Sequence, residues 1–200
     1  MKYIVTGGAG FIGSNIVDRL LTDGHMVIVI DNLCSKESRQ RIQSGKMKYW
    51  NSNSLEVIKE DVATMTDFSK FKNVDGIFHL AALPQVQPSI DNPIKYHSTN
   101  VNGTLNMLFA CKTAKIKRFV FSSSSAVYGE NNILPTSECS ELKPLSPYSL
   151  HKLIGEKYCE LFEFLYGIET YALRYFNVFG ERQPMSGPYS LVMGKFARQL

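Results

Sequence analysis

No stretch of this 200-residue chain stays apolar for the roughly 18–20 residues that a bilayer-spanning helix needs, so no membrane span is expected. Cysteine is scarce and scattered. Cys34, Cys111, Cys139 and Cys159 form no CxxC pair and have no histidine at ligand spacing. That argues against a disulfide framework and a metal site, and predicts reduced thiols in a cytosolic protein. An excess of one charge is also missing: 22 Lys+Arg face 18 Asp+Glu, a net charge of +4. The basic KIKR at 115–118 reads as a solvated loop before a strand, so nucleic acid is not an expected partner. Internal repeats and low-complexity tails are absent. The chain opens on a strand-like YIVTGG with no basic leader and cleavable apolar region, which predicts a cytoplasmic location.

What is present is alternation. Apolar, β-rich runs predict strands at Tyr3–Thr6, Met26–Asp31, Leu55–Lys59, Gly76–Leu80, Arg118–Ser122 and Thr170–Tyr175. Between them, helical patterns cover Phe11–Thr22, Asn100–Lys115 and Pro147–Tyr166, with a shorter one near Met65–Phe71. Nearly continuous apolar strands suit a parallel sheet covered on both faces. The order predicts an α/β fold, a doubly wound parallel sheet of the NAD-binding Rossmann type with helices on both faces. Residues 129–146, rich in Pro, Ser and Asn, predict a long surface loop. The expected domains are 1–180, which binds the dinucleotide, and 181–200, the start of a second domain cut short inside a helix-like Leu191–Leu200.

The first strand runs into TGGAGFIGS, where Gly7, Gly10 and Gly13 have GxxGxxG spacing. One glycine permits the tight turn, the next lets backbone approach a pyrophosphate, and the third lets helix pack on sheet. The helix start then offers free N–H groups and the positive dipole end to phosphate. Asp31, at the end of the second strand, can bind an adenosine ribose and repel a 2′-phosphate, which predicts NAD over NADP. Asp61-Val62 could meet the adenine edge, or Asp61 could be an exposed strand-end acid. HLAAL at 79–83 suits a backbone close to a cofactor and equally a tightly packed strand.

In SPYSLHK, Ser146 can cap a helix that starts at Pro147, and Tyr148 and Lys152 share one helical face. A free phenol, with a pKa of about 10, is a poor base at neutral pH, and a nearby ammonium would stabilise the phenolate. The fifth strand ends in four serines, VFSSSSAVYGE. A strand that only filled a core would not end in hydroxyls.

Together TGGAGFIGS, VIDNLCS, HLAAL, NVNGTLNML, FSSSSAVYGE, SPYSLHK and LRYFNVFGERQ resemble the extended short-chain dehydrogenase/reductase family, in particular its NAD-dependent UDP-sugar 4-epimerases. The resemblance implies a catalytic set of Ser124, Tyr148 and Lys152. Ser124 would hydrogen-bond the sugar O4 and relay its proton to Tyr148. Ser122 would lie near the cofactor, and Ser123 and Ser125 would be capping or packing hydroxyls. Phe11 and Ile12 would flank the pyrophosphate, Asp31, Asn32 and Ser35 the adenosine, and Asp61 and Val62 the adenine. Leu80, Ala81, Ala82 and Leu83 would line the nicotinamide side, with Asn100 in support and Tyr175 and Phe176 beside the ring. Asn177 would contact substrate.

Relatives that eliminate water carry an Asp-Glu pair after the catalytic hydroxyl, and decarboxylases place a Glu in the second position. Here Ser125 and Ala126 stand there, which implies epimerisation at C4 of a UDP-sugar, glucose/galactose or the N-acetylhexosamine equivalents. Pro84, where some UDP-galactose epimerases carry lysine, leaves the sugar open. The alternatives are a catalytically silent NAD-binding module, and a dehydratase, decarboxylase or reductase of the same family. The 147–166 helix carries more apolar residues than a surface stripe needs. With helix 100–115 it fits a homodimer of the kind the family forms, or else burial under loop 129–146.

Overall fold

A computed structural model describes residues 1–43, 52–130 and 134–184. The β-branched runs become β1 (Lys2–Thr6), β2 (Met26–Ile30), β3 (Leu55–Ile58), β4 (Gly76–His79), β5 (Arg118–Ser124) and β6 (Glu169–Tyr175). They form one sheet, ordered β3-β2-β1-β4-β5-β6, and each pair is parallel. The order reverses between β1 and β4. In sheets of this kind ligands bind outside the carboxyl ends of the strands at that reversal.

Alternate residues serve opposite faces. Ile4, Ile28 and Ile30 join one core with Phe119, Phe121, Met107, Leu108 and Phe162. Val5, Val27 and Val29 join a second with Val17. The helices are α1 (Phe11–Thr22), α2 (Lys36–Gln43), α3 (Val86–Asp91), α4 (Pro93–His97), α5 (Gly103–Ala114) and α6 (Pro147–Tyr166); α1, α5 and α6 pack on the sheet, and α3 and α4 pack on α6. A π-helical turn at Ser98–Asn102, closed by the Gly103 N–H on the Ser98 carbonyl, joins α4 to α5.

Helix α6 begins with a capping box between Ser146 and Ser149 and Pro147 in its first turn, and ends at Gly167 with φ +65°. It lies close on the sheet because Gly155 has no side chain: a Cβ there would stand 2.4 Å from the Phe121 ring. All four cysteines are free thiols, Cys111 and Cys159 buried and Cys34 and Cys139 exposed. No described helix is long and apolar enough to cross a membrane.

Three expectations change. The helix near Met65–Phe71 reduces to a single 3-10 turn at Ser69–Phe71. There the Asp67 carboxylate accepts from both the N–H and the hydroxyl of Ser69, a local competitor of helical bonding. Strand β5 runs two residues past Ser122, because β6 pairs Ser123 with Arg174 and Ser124 with Tyr175. Helices α2, α3 and α4 were not anticipated, being polar or shorter than two full turns. The described part of loop 129–146 contains only bends and turns, and the expected helix Leu191–Leu200 lies outside the described residues.

Candidate functional site

The glycine loop is shaped by missing atoms. Gly7 has φ +67°, and a Cβ on it would stand 2.8 Å from the Ala81 backbone nitrogen. A Cβ on Gly13 would stand 2.3 Å from the Gly7 carbonyl oxygen, and one on Gly10 3.0 Å from the same atom. That oxygen already accepts the Gly10 N–H at 2.9 Å. No side chain caps α1 at Gly10, so the first-turn N–H groups of Phe11 and Ile12 stand where a helix start binds phosphate. Gly8, which sequence reasoning passed over, abuts Val29: its Cβ would lie 2.7 Å from a Val29 methyl.

Asp31 stands beside this loop. Its carboxylate accepts the Ala9 N–H at 3.1 Å and the Leu33 N–H at 2.8 Å. Burial raises its pKa, opposed by those two bonds and by the Arg41 charge. Asn32 donates to Asp61 at 2.8 Å, and Asp61 also accepts the Ala63 N–H at 2.9 Å. The ends of β1, β2 and β3 are thereby tied into one line. The Val62 side chain is core, leaving only its backbone for an adenine. Ser35 accepts the Ser38 N–H at 2.9 Å and so steadies the start of α2.

The end of β4 is fixed by a buried relay whose proton positions follow from counting. Thr6 Oγ1 accepts the Leu80 and Ala81 N–H groups at 3.2 and 3.1 Å. Its own proton therefore goes to His79 Nδ1, 2.8 Å away. His79 must then carry its proton on Nε2 and donate to Thr104 Oγ1 at 3.1 Å, and Thr104 donates to the Asn100 carbonyl at 2.7 Å. Burial, and secondly the Lys152 charge, push the His79 pKa down to about 3, so it stays neutral. The Asn100 side chain accepts the Leu83 N–H at 2.8 Å and donates to the Leu83 carbonyl at 3.0 Å. Asn100 thus holds the Leu80–Leu83 segment, and Gly7 touches that segment directly.

Across the sheet, the serines at the end of β5 meet one face of α6. Lys152 Nζ donates to the Ser122 carbonyl at 2.7 Å. Ser123 donates to buried Glu156. Ser124 lies on the Tyr148 side of the strand end, and its hydroxyl draws the phenol's pKa down. Capping falls to Ser124 rather than to Ser123 or Ser125: its Oγ accepts the Ala126 N–H at 3.2 Å and starts the 3-10 turn Ser125–Tyr128.

Ser124, Tyr148 and Lys152 are therefore together. The electrostatics differ from the expectation that Lys152 depresses the phenol. Burial raises the Tyr148 pKa, and the Ser124 hydroxyl only partly offsets it. The Lys152 ammonium stands 5.9 Å from the Tyr148 ring centroid and 5.0 Å from that of Phe121, and burial lowers its own pKa to about 8. A further positive charge beside the phenol is needed to make it a base near neutrality.

Tyr175 lies opposite Ser124 across the β5–β6 pair. Phe176 is exposed, with its ring 6.3 Å from that of Tyr128, and Asn177 is exposed. Sequence reasoning missed Thr6, His79, Thr104, Glu156 and Arg174. Only Glu156 carried a local signal, being four residues past Lys152 on the same helical face.

With this geometry in place, comparison with known proteins is direct. The family model described as "NAD dependent epimerase/dehydratase family" matches residues 3–200. The UDP-glucose 4-epimerase of Mycolicibacterium smegmatis is 37% identical over 195 residues, covering 96% of this chain and 61% of that protein. Among solved structures, the UDP-N-acetylglucosamine 4-epimerase of Methanobrevibacter ruminantium M1, in complex with UDP-N-acetylmuramic acid, superposes with a TM-score of 0.90 at 43% identity. That match covers 98% of this chain and 61% of the other. The UDP-glucuronic acid 4-epimerase of Bacillus cereus, in complex with UDP-glucuronic acid and NAD, gives 0.86 at 34% identity, covering 99% and 63%. The chain spans about 60% of the length of the curated relatives it matches.

Proposed function

Because the chain belongs to the NAD dependent epimerase/dehydratase family, we propose that it serves the NAD-dependent inversion of C4 in a UDP-sugar. The observation that carries this reading is that Ser124, Tyr148 and Lys152 meet at the carboxyl end of β5, where the chain continues into Ser125 and Ala126. Neither of these can act as acid or base, as water elimination would require. The wall that would hold NAD consists of Gly7, Gly10, Phe11, Ile12 and Gly13 for the pyrophosphate, and Asp31, Asn32, Ser35, Asp61 and Val62 for the adenosine. Leu80–Leu83, Asn100, Ser122, Tyr175 and Phe176 form the nicotinamide side. When bound, NAD supplies the acceptor for the C4 hydride and returns it, so no net oxidation occurs.

The protein's own part is proton handling. Tyr148, as phenolate, takes the 4-hydroxyl proton through Ser124 and later gives it back. Lys152 and the positive nicotinamide ring hold the phenolate, and Asn177 contacts the substrate. Residues 1–180 form the cofactor domain and 181–200 begin the substrate domain.

The test is incubation with NAD and either UDP-galactose or UDP-N-acetylgalactosamine, read by NMR for the 4-epimer. Epimer formation that falls roughly 10²–10⁴-fold in Tyr148→Phe supports the reading. Free NADH accumulating without epimer points to a dehydrogenase instead. A second reading is an NAD-binding module without turnover. Calorimetry that finds NAD binding and no UDP-sugar binding would select it.

Assembly through α5 and α6 is part of the same proposal. Phe109, Leu161, Phe164 and Leu165 are exposed, Phe164 by 85%, and the described loop residues do not cover them. A monomeric mass by light scattering at high concentration would rule the dimer out. A cytoplasmic location follows from the same reading, and recovery in a membrane or secreted fraction would contradict it.

A further inference from the structure

We propose that the Glu156–Arg174 ion pair is a positioning clamp that sets the distance between Ser124 and Tyr148. The inference rests on the reading of those two residues as the proton-transfer pair.

Arg174 is bound on four sides. Its Nε donates to Glu156 Oε1 at 3.0 Å and its Nη2 to Oε2 at 2.8 Å. Its Nη1 donates to the Tyr128 hydroxyl at 3.0 Å and to the Glu138 carbonyl at 2.8 Å. The guanidinium also lies 5.0 Å from the Tyr128 ring centroid. Glu156 Oε1 additionally accepts the Ser123 hydroxyl. The side chains are 4% exposed for Glu156 and 21% for Arg174. One carboxylate and one guanidinium thus join β5, the 3-10 turn, loop 129–146, α6 and β6.

Stability alone is a poor reason for this arrangement. A buried ion pair is commonly no more stabilising than apolar residues of the same volume. What the pair offers is direction, because two parallel bonds fix both partners in orientation as well as distance. Each partner adjoins a site residue. Ser123 precedes Ser124, Tyr128 closes the turn that Ser124 caps, and Arg174 precedes Tyr175. Glu156 is one turn beyond Lys152 and two beyond Tyr148 on the same helical face. The clamp therefore fixes the end of β5 against α6 at the level where Ser124 meets Tyr148. Lysine could keep the charge but not the fork.

The test uses protein labelled with ¹³C at tyrosine Cζ and loaded with NAD⁺, the Tyr148 signal being assigned through Tyr148→Phe. Two variants are compared with the parent. Arg174→Lys removes the fork, and Ser123→Ala cuts only the strand's link to Glu156. Both are expected to raise the Tyr148 titration midpoint by about half a pKa unit or more, because the Ser124 hydroxyl that favours the phenolate is no longer held beside it. Combined with Ser124→Ala, neither should add a further shift. Unchanged midpoints in folded variants overturn the clamp, and so does a shift of equal size that persists in the Ser124→Ala background. If Arg174→Lys does not fold, Ser123→Ala decides alone. None of these readings needs UDP-sugar turnover, so a failed epimerase assay leaves the outcome intact.

Discussion

At the end of β1 the close contacts exist because side chains are missing. Gly7 touches Ala81, Gly8 touches Val29 and Gly13 touches Gly7, each at a distance where a Cβ would collide. At the end of β5 the contacts are added polar atoms: Lys152 on the Ser122 carbonyl and Glu156 on Ser123, with the Ser124 hydroxyl acting on Tyr148. The first region is fixed by shape and the second by charge and hydrogen bonds. Shape should fail abruptly when atoms are added, whereas charge should respond to pH.

The sharpest break is Gly13→Val. Its Cβ would lie 2.3 Å from a backbone oxygen that cannot move aside. The loss should exceed the ~1–3 kcal/mol of ordinary overpacking and abolish NAD binding by calorimetry. Gly10→Ala, at 3.0 Å, should retain measurable binding.

Next in size is acid sensitivity. His79 shifts from 6.5 to about 3 on folding, so the unfolded chain binds the proton first. Stability is unaffected above pH 6.5 and falls progressively between pH 6.5 and about 3, by roughly 5 kcal/mol in total. Urea titrations across that range should show it, and His79→Gln should flatten the slope.

Lys152 should act in the opposite sense to a stabilising charge. Its pKa falls from 10.5 to about 8 on folding, so its contribution rises with pH between about 8 and 10.5. At pH 7 the protonated side chain holds stability down by about 3 kcal/mol. Lys152→Met should raise the melting temperature at pH 7. If it lowers the melting temperature, the bond to the Ser122 carbonyl outweighs burial of the charge.

The smallest effect tests the frame that carries the polar wall. Ser146→Ala removes the α6 cap and should cost about 1 kcal/mol in denaturant unfolding, with NAD affinity unchanged.

The parts that could be read from the sequence are those whose chemistry is local. Gly7, Gly10 and Gly13 lie between a strand and a helix. Tyr148 and Lys152 are a helical turn apart, and Ser146-Pro147 announces the start of α6. Gly8 and Gly155 escaped because what forbids a side chain there is Val29 or Phe121, distant in sequence. The His79 relay escaped because its partners are 73 and 25 residues away. Lys152 was legible only in part. Spacing places it on the face of Tyr148, but its hydrogen bond goes to the Ser122 backbone, which no pattern of side chains reveals. The described part of loop 129–146 is loop as expected, and nothing in its composition showed that the Glu138 carbonyl would meet Arg174.

The π-helical turn at Ser98–Asn102 sets the angular phase of everything after it. It holds one residue more than an α-helical turn, and each helical residue advances the chain by about 100°. With that extra residue in place, Asn100 points at Leu83 while Met107, Leu108, Ala110 and Cys111 still face the sheet. Removing one residue here would leave the composition of the helix almost unchanged. It would, however, turn either the carboxamide away from the cofactor loop or the apolar stripe away from the core. A single-residue deletion, easily absorbed in loop 129–146, is therefore one of the least tolerable changes in length this chain could undergo.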